Sequence, residues 1–122
     1  MFYVVRMDTQ GPVGALLEGC ARAAAAGVDV RIVLDRAADA DGQRNAEAAA
    51  WCASHGIRVV WDEVGVTTHA KVVLTEEAVW IGSHNATRAA LAINREAAVI
   101  LADPAALAAT EAWFRAVPGF DP

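Results

Sequence analysis

A chain of 122 residues, 56% hydrophobic and 7% aromatic, has the size of one ordinary domain and can bury a core without disulfides or a structural metal. Its net charge of -5 excludes the broadly basic surface that holds nucleic acid or anionic lipid nonspecifically, and leaves room only for a local basic pocket. No run approaches the roughly 18 apolar residues of a membrane-spanning helix, the start MFYVVRMD lacks a leader pattern, and Cys20 and Cys52 form neither a C-x-x-C pair nor a zinc pattern, so the expected setting is reducing and cytoplasmic with both thiols free.

Residues 2–6 (FYVVR) are a short apolar run rich in β-branched and aromatic side chains, the mark of a buried strand. Over 12–26, Leu16, Leu17, Cys20 and Ala24 recur at helical spacing, with Pro12 suited to the first turn and Gly27 to the stop. Residues 28–34 (VDVRIVL) form a second strand, followed by an Asp-rich loop through Gly42, a helix over about 43–54 that stops at Gly56, and a third strand at 57–61 (IRVVW). Consecutive parallel strands need a covering crossover, so this alternation predicts parallel pairing and an α/β class. The abundance of alanine, 29 residues, suits helices lying close on a sheet.

After Gly65 the rhythm changes. Residues 69–74, a tight turn at 75–77 and residues 78–81 read as a β-hairpin, followed by a short helix near 86–91. Residues 95–101 (REAAVIL) read as a further strand, and Asp103 caps a closing helix over about 104–116 with Pro104 at its first position. No repeat or linker divides the chain, which reads as a single domain over 1–122. Trp51, Trp61, Trp80 and Trp113 are spread across elements and are assigned to the core rather than to base stacking. Asp35, Asp39 and Asp41 lack metal-ligand spacing, so neither metal nor cofactor is expected.

The stretch from Thr68 to Ile100 concentrates the chemistry. His69 and Lys71 stand two apart on an expected strand, so an imidazole and an ammonium share one face while Ala70 and Val72 point the other way. Ser83 and Asn85 lie in the segment GSHN, where Gly82 allows close backbone approach and two hydrogen-bonding side chains can turn to one spot. Lys71 is the only lysine among ten basic residues, which suggests that a compact, strongly hydrated ammonium is needed where the planar fork of Arg would not fit. A nucleophile, a point charge and neutral donors together suit a phosphate group.

His69, Lys71, Gly82, Ser83 and Asn85, in the pattern H-x-K then G-S-x-N, resemble the signature of the phospholipase D superfamily. The likeness extends to Thr87 two after Asn85, to Asn94-Arg95-Glu96 opening the last strand, and upstream to GVDVRIVLD and HGIRVVWD. It implies a phospholipase D-like sandwich: a mixed, mainly parallel sheet flanked by helices, with one β-hairpin carrying the active site. Two features depart from the family. The usual H-x-K-x4-D has Glu at position 76, with a hairpin one residue short, so that Glu76 or Glu77 takes the place of an Asp credited with a structural role. Relatives also carry an additional strand and helix before the strand corresponding to FYVVRM, which leaves either a minimal form or a fragment whose sheet has an exposed edge.

The resemblance further implies a metal-independent phosphodiesterase, most simply a nuclease type, that forms a covalent phosphohistidine, with a second histidine protonating the leaving oxygen. The chain carries one motif, and neither His55 nor His84 lies in a second H-x-K. The expected solution is a two-fold homodimer through the active-site face, with His69 as nucleophile in one copy and acid in the other. In that scheme Lys71 and Asn85 bind the nonbridging oxygens, Ser83 assists, and Glu96 accepts the other ring N–H of His69. His84 is expected at the pocket rim, and Arg88 on a solvated helix face. The substrate is a phosphodiester of nucleic acid or of phospholipid; a noncatalytic dimerisation domain is the reading from another class.

Overall fold

The computed structural model describes residues 1–36 and 45–121, and in them the alternating half of the sequence folds as α1 (Pro12–Ala25), β1 (Arg31–Leu34), α2 (Ala46–Ser54) and β2 (Arg58–Trp61). Most of the Asp-rich loop, with Asp39 and Asp41, lies outside the described residues. The helices stop where glycine can enter the left-handed region, at Gly27 with φ 92° and Gly56 with φ 75°. At the first of these, Val28 N–H reaches back to Ala23 O at 3.1 Å.

The second half is the expected hairpin, β3 (Val72–Leu74) and β4 (Val79–Gly82), then α3 (Arg88–Ala92), β5 (Ala98–Leu101) and α4 (Pro104–Arg115). Thr75 organises the turn, its Oγ accepting from Glu77 N at 3.3 Å and Ala78 N at 3.1 Å, while Glu76 and Glu77 are exposed. Asp103 caps α4 as expected, accepting from Ala106 N at 2.9 Å, and Thr87 caps α3 through Ala90 N at 3.2 Å.

The N-terminal segment joins the halves. Phe2 bridges Leu34 in parallel and Lys71 antiparallel, and Val5 bridges Ala86 in parallel, so the strand sequence across the sheet runs β2, β1, residues 1–5, β3, β4, β5. The sheet is mixed, with parallel pairing of β1 to β2 and antiparallel pairing of β3 to β4 and β4 to β5. Residues 2–6 are not an unbroken strand as their composition predicts: a bend at Tyr3 interrupts them, and Phe2 and Val5 both face the same core cluster. Strict alternation would put residues three apart on opposite faces, so the bend inserts one residue.

Helices cover both faces of the sheet. On one, Val13 and Leu17 of α1 and Ala48, Ala49 and Cys52 of α2 pack with Phe2, Val5, Ile32 and Leu34. On the other, Phe114 of α4 packs with Met1, Val33, Val60, Val72 and Val79. Both cysteines are free thiols, and burial pushes the Cys52 thiol up to about 11. Trp51, Trp61 and Trp80 pack against the first cluster, whereas Trp113, expected in the core, is 43% exposed on α4. The outer strand β5 is open: Val99 and Ile100 are 54% and 71% exposed, so among the described residues the sheet has an apolar edge on this side. No described helix is long and apolar enough to cross a membrane.

Candidate active site

The strands arrange the polar residues by direction. β1 and β2 run into Asp35 and Asp62, β4 ends at Gly82, and the segments entering β3 and β5 start beside them, so 69–71, 83–85 and 94–97 meet at one end of the sheet. Lys71 sits opposite Gly82, whose N–H donates to Lys71 O at 3.1 Å. A Cβ on Gly82 would come within 2.8 Å of the Trp80 ring and 2.9 Å of Ala98 Cβ, so a larger residue would force this corner apart.

His69 is exposed, while Lys71 is only 4% exposed and donates from Nζ to His69 O at 2.6 Å. Burial lowers the Lys71 pKa, and the charge of Glu96 opposes that shift. Lys71 is thus a buried cation that feels the charge of Glu96.

Ser83 and Glu96 are joined directly, the Ser83 hydroxyl donating to Glu96 Oε2 by a short hydrogen bond, while Asn94 Nδ2 donates to Oε1 at 3.1 Å. Ser83 is fixed as well by Ala97, whose N–H donates to Ser83 Oγ at 3.1 Å. These donors hold the Glu96 pKa below its usual range, with His84 and Lys71 adding to the effect by charge. The carboxylate expected to take the second ring N–H of His69 is therefore engaged elsewhere: among the described residues no hydrogen bond joins Glu96 to His69. Glu96 also lies within electrostatic reach of His84, whose ring rests on Trp80 at 5.4 Å between centroids.

Asn85 follows in the same loop, its backbone carbonyl accepting from Thr87 N at 2.8 Å. Asn85 Oδ1 and His84 Nδ1 are buried and lack hydrogen-bond partners. The other described atoms in that condition are the Oδ2 atoms of Asp8, Asp35 and Asp62, which also follow the C-terminal ends of strand segments running toward this end. Buried polar atoms are ordinarily paired, and these five belong to residues at or just beyond strand ends on the side of the sheet that carries residues 69–71 and 83–85. Among the described residues no His, Cys, Asp and Glu group is arranged to hold a metal ion. Arg88 is exposed on α3, as expected of a solvated helix face.

Sequence reasoning missed Tyr3. Its ring lies 4.7 Å from the His69 ring, tilted by 57°, and Lys71 Nζ stands 5.3 Å from its centroid. The missed cause is Asn45, 2% exposed, which accepts from Val5 N at 2.8 Å and donates to Tyr3 O and Asp35 O, both at 3.0 Å. It supplies partners to the backbone groups that the bend removes from the ladder. An Asn before a helix ordinarily signals a cap, but Asn45 spends its side chain on the sheet and makes no capping bond.

The family model described as "Cardiolipin synthase, PLD-like domain" matches residues 1–117. No curated protein matches the chain. Among solved structures, the chain is similar to Nuc from Salmonella typhimurium, a phospholipase D family member, with a TM-score of 0.73 and 29% identity over 93% of this chain and 70% of that one. Two others share the fold: polyphosphate kinase from Porphyromonas gingivalis, at TM-score 0.72 and 20% identity over 100% of this chain and 21% of that one, and NucT from Helicobacter pylori, at 0.71 and 13% over 95% and 74%.

Proposed function

This chain belongs to the phospholipase D-like domain family, and on that premise we propose that it is a metal-independent phosphodiesterase of nuclease type, working through a phosphohistidine in a site shared by two copies of the chain. Family membership supports phosphodiesterase-type chemistry at the level of the superfamily. The observation that carries the finer reading is the gathering of His69, Lys71, Ser83, Asn85 and Glu96 at the end of the sheet where unpartnered buried polar atoms collect.

The His69 imidazole attacks phosphorus, forming an N–P bond as the bond to the leaving oxygen breaks. His69 of the second copy gives that oxygen a proton. Water then attacks the phosphohistidine, losing its proton to the second imidazole, and the N–P bond breaks to restore the enzyme. Lys71 and Asn85 neutralise the nonbridging oxygens. Glu96 holds Ser83 in position and balances the ammonium of Lys71. With a net charge of -5, a nucleic-acid substrate is gripped locally, at the phosphodiester, rather than along a basic surface. The description of the matching family model, cardiolipin synthase, favours hydrolysis or transfer on a phospholipid as the second reading.

Turnover of bis(4-nitrophenyl) phosphate in excess chelator, abolished by His69→Ala, is the expected result; no turnover at any pH would leave a noncatalytic dimerisation domain. The shared site is tested by refolding mixtures of wild-type and His69→Ala chains. Because each missing role costs roughly 100-fold to 10,000-fold, activity falls as the square of the wild-type fraction, whereas a straight line means that each chain holds a complete site.

A further inference from the structure

We infer that Tyr3 is the positioning residue of the His69–Lys71 pair, and that Asn45 aims it through the bend in the first strand segment. The inference rests on the phosphohistidine reading for its kinetic part and stands without it for its geometric part.

The His69 side chain is exposed, and its ring contact is with Tyr3 at 4.7 Å. An exposed imidazole with no fixed neighbour samples several rotamers, and a nucleophile that must meet phosphorus in line loses rate in proportion to the time it spends elsewhere. The Tyr3 ring restricts that search from one side. The same ring has the Lys71 ammonium over it at 5.3 Å, within the range of cation–π attraction. One aromatic surface therefore touches both the attacking group and the cation that meets the phosphoryl oxygens, fixing their spacing. Once the imidazole carries phosphorus it gains positive character, and the electron-rich face beside it stabilises that state over the free ring.

The bend makes this contact available. Tyr3 follows Phe2, whose ring is buried in the core, and a regular strand would alternate the two across the sheet. The bend turns the chain between Phe2 and Val5, and Asn45 pairs with the backbone of residues 3 and 5 from a position 40 residues away from Val5. Asn45 meets this end of the sheet through the backbone carbonyls of Tyr3 and Asp35, and acts on the His69–Lys71 pair through Tyr3.

The test compares Tyr3→Phe and Tyr3→Leu. Tyr3→Phe retains the ring and is expected to keep at least half of kcat. Tyr3→Leu is expected to lower kcat about tenfold or more while KM stays within about twofold, since the positioned attack is lost while the Lys71 ammonium keeps its bond to His69 O. The ring itself gives a readout independent of activity: in NMR spectra the His69 ring protons, shielded by Tyr3, shift alike in wild type and Tyr3→Phe and move toward free-histidine values in Tyr3→Leu. Unmoved His69 resonances in a folded Tyr3→Leu overturn the placement. Moved resonances with unchanged kcat overturn the positioning role. If Tyr3→Leu does not fold, Tyr3→Met, which keeps bulk without an aromatic face, takes its place under the same criteria. Displaced resonances with no turnover in any form, wild type included, sink the phosphodiesterase reading and leave the geometric part standing.

Discussion

Where β1 and β2 begin, Arg31 and Arg58 stand in register, two cations side by side. Each is answered: Arg31 donates to Phe120 O at 2.6 Å, Arg58 donates to Gly119 O and Asp121 O, both at 3.0 Å, and Arg115 donates to Asp121 Oδ1 at 2.6 Å. Phe120 stacks on Phe114 at 5.3 Å and lies under the Arg31 guanidinium at 4.9 Å, so the C-terminal tail is tied down by charge and by rings together. At the opposite end, where β1, β2 and β4 finish, lie the exposed His69 and described buried polar atoms without partners, among them Asn85 Oδ1 and His84 Nδ1. One end of the sheet satisfies its polar groups to hold the fold; the other leaves them open, which costs stability and, on the proposed function, supplies chemistry.

The largest difference between the ends should appear in His69→Ala. Turnover should be abolished, falling by more than the roughly 100-fold to 10,000-fold of one missing role because both copies lose their imidazole, while unfolding midpoints stay put, because substitution of an exposed side chain away from the core changes stability by only about 0.5 kcal/mol or less. A comparable loss of stability would mean that the open end also carries the fold.

The second test concerns the α-amino group of Met1, which is buried, donates to Val72 O at 2.6 Å, and is lowered by burial from 8.0 to about 5. The unfolded chain binds this proton below pH 8 and the folded chain only near pH 5, so stability from this group is full above pH 8 and is lost as pH falls toward 5. The loss should approach roughly 4 kcal/mol across that window. N-terminal acetylation should flatten the urea midpoint between pH 8 and pH 5 relative to the free amine; parallel curves would show that the amine is solvated.

Asn45→Ala comes next. It strips partners from Val5 N, Tyr3 O and Asp35 O, and buried groups left unpaired cost about 1–3 kcal/mol each, so stability should fall by about 3 kcal/mol or more. Activity measured well below the unfolding midpoint should fall too, and a stable but inactive variant would isolate the bend as a functional device. The smallest effect belongs to Asp121→Ala, whose carboxylate is 44% exposed: about 1 kcal/mol or less, with kcat unchanged. A kcat change there would break the division between the ends.

Local signals were legible without the structure. Apolar periodicity, Pro12, Gly27, Gly56 and the Asp103–Pro104 start each act within a few residues, and the elements they announce are present, with ends shifted by a few positions. The two-residue spacing of His69 and Lys71 and the G-S-x-N segment brought the chemistry together because a hairpin is itself local. Trp113 was misread because a tryptophan in a helix carries no mark of which way its side of the helix will face.

What only the tertiary structure decided depends on partners far apart in the chain. The bend at Tyr3 exists because Asn45, 42 residues away, supplies the hydrogen bonds that the ladder lacks there. Glu96 turned to Ser83, 13 residues back, rather than to His69. Composition announced residues 95–101 as a strand and could not say that β5 would lie open at the edge, since exposure is a property of what else packs nearby. Propensity and spacing are written into neighbouring residues, whereas the pairing of a side chain with a distant backbone group appears only once the sheet has brought them within hydrogen-bond reach.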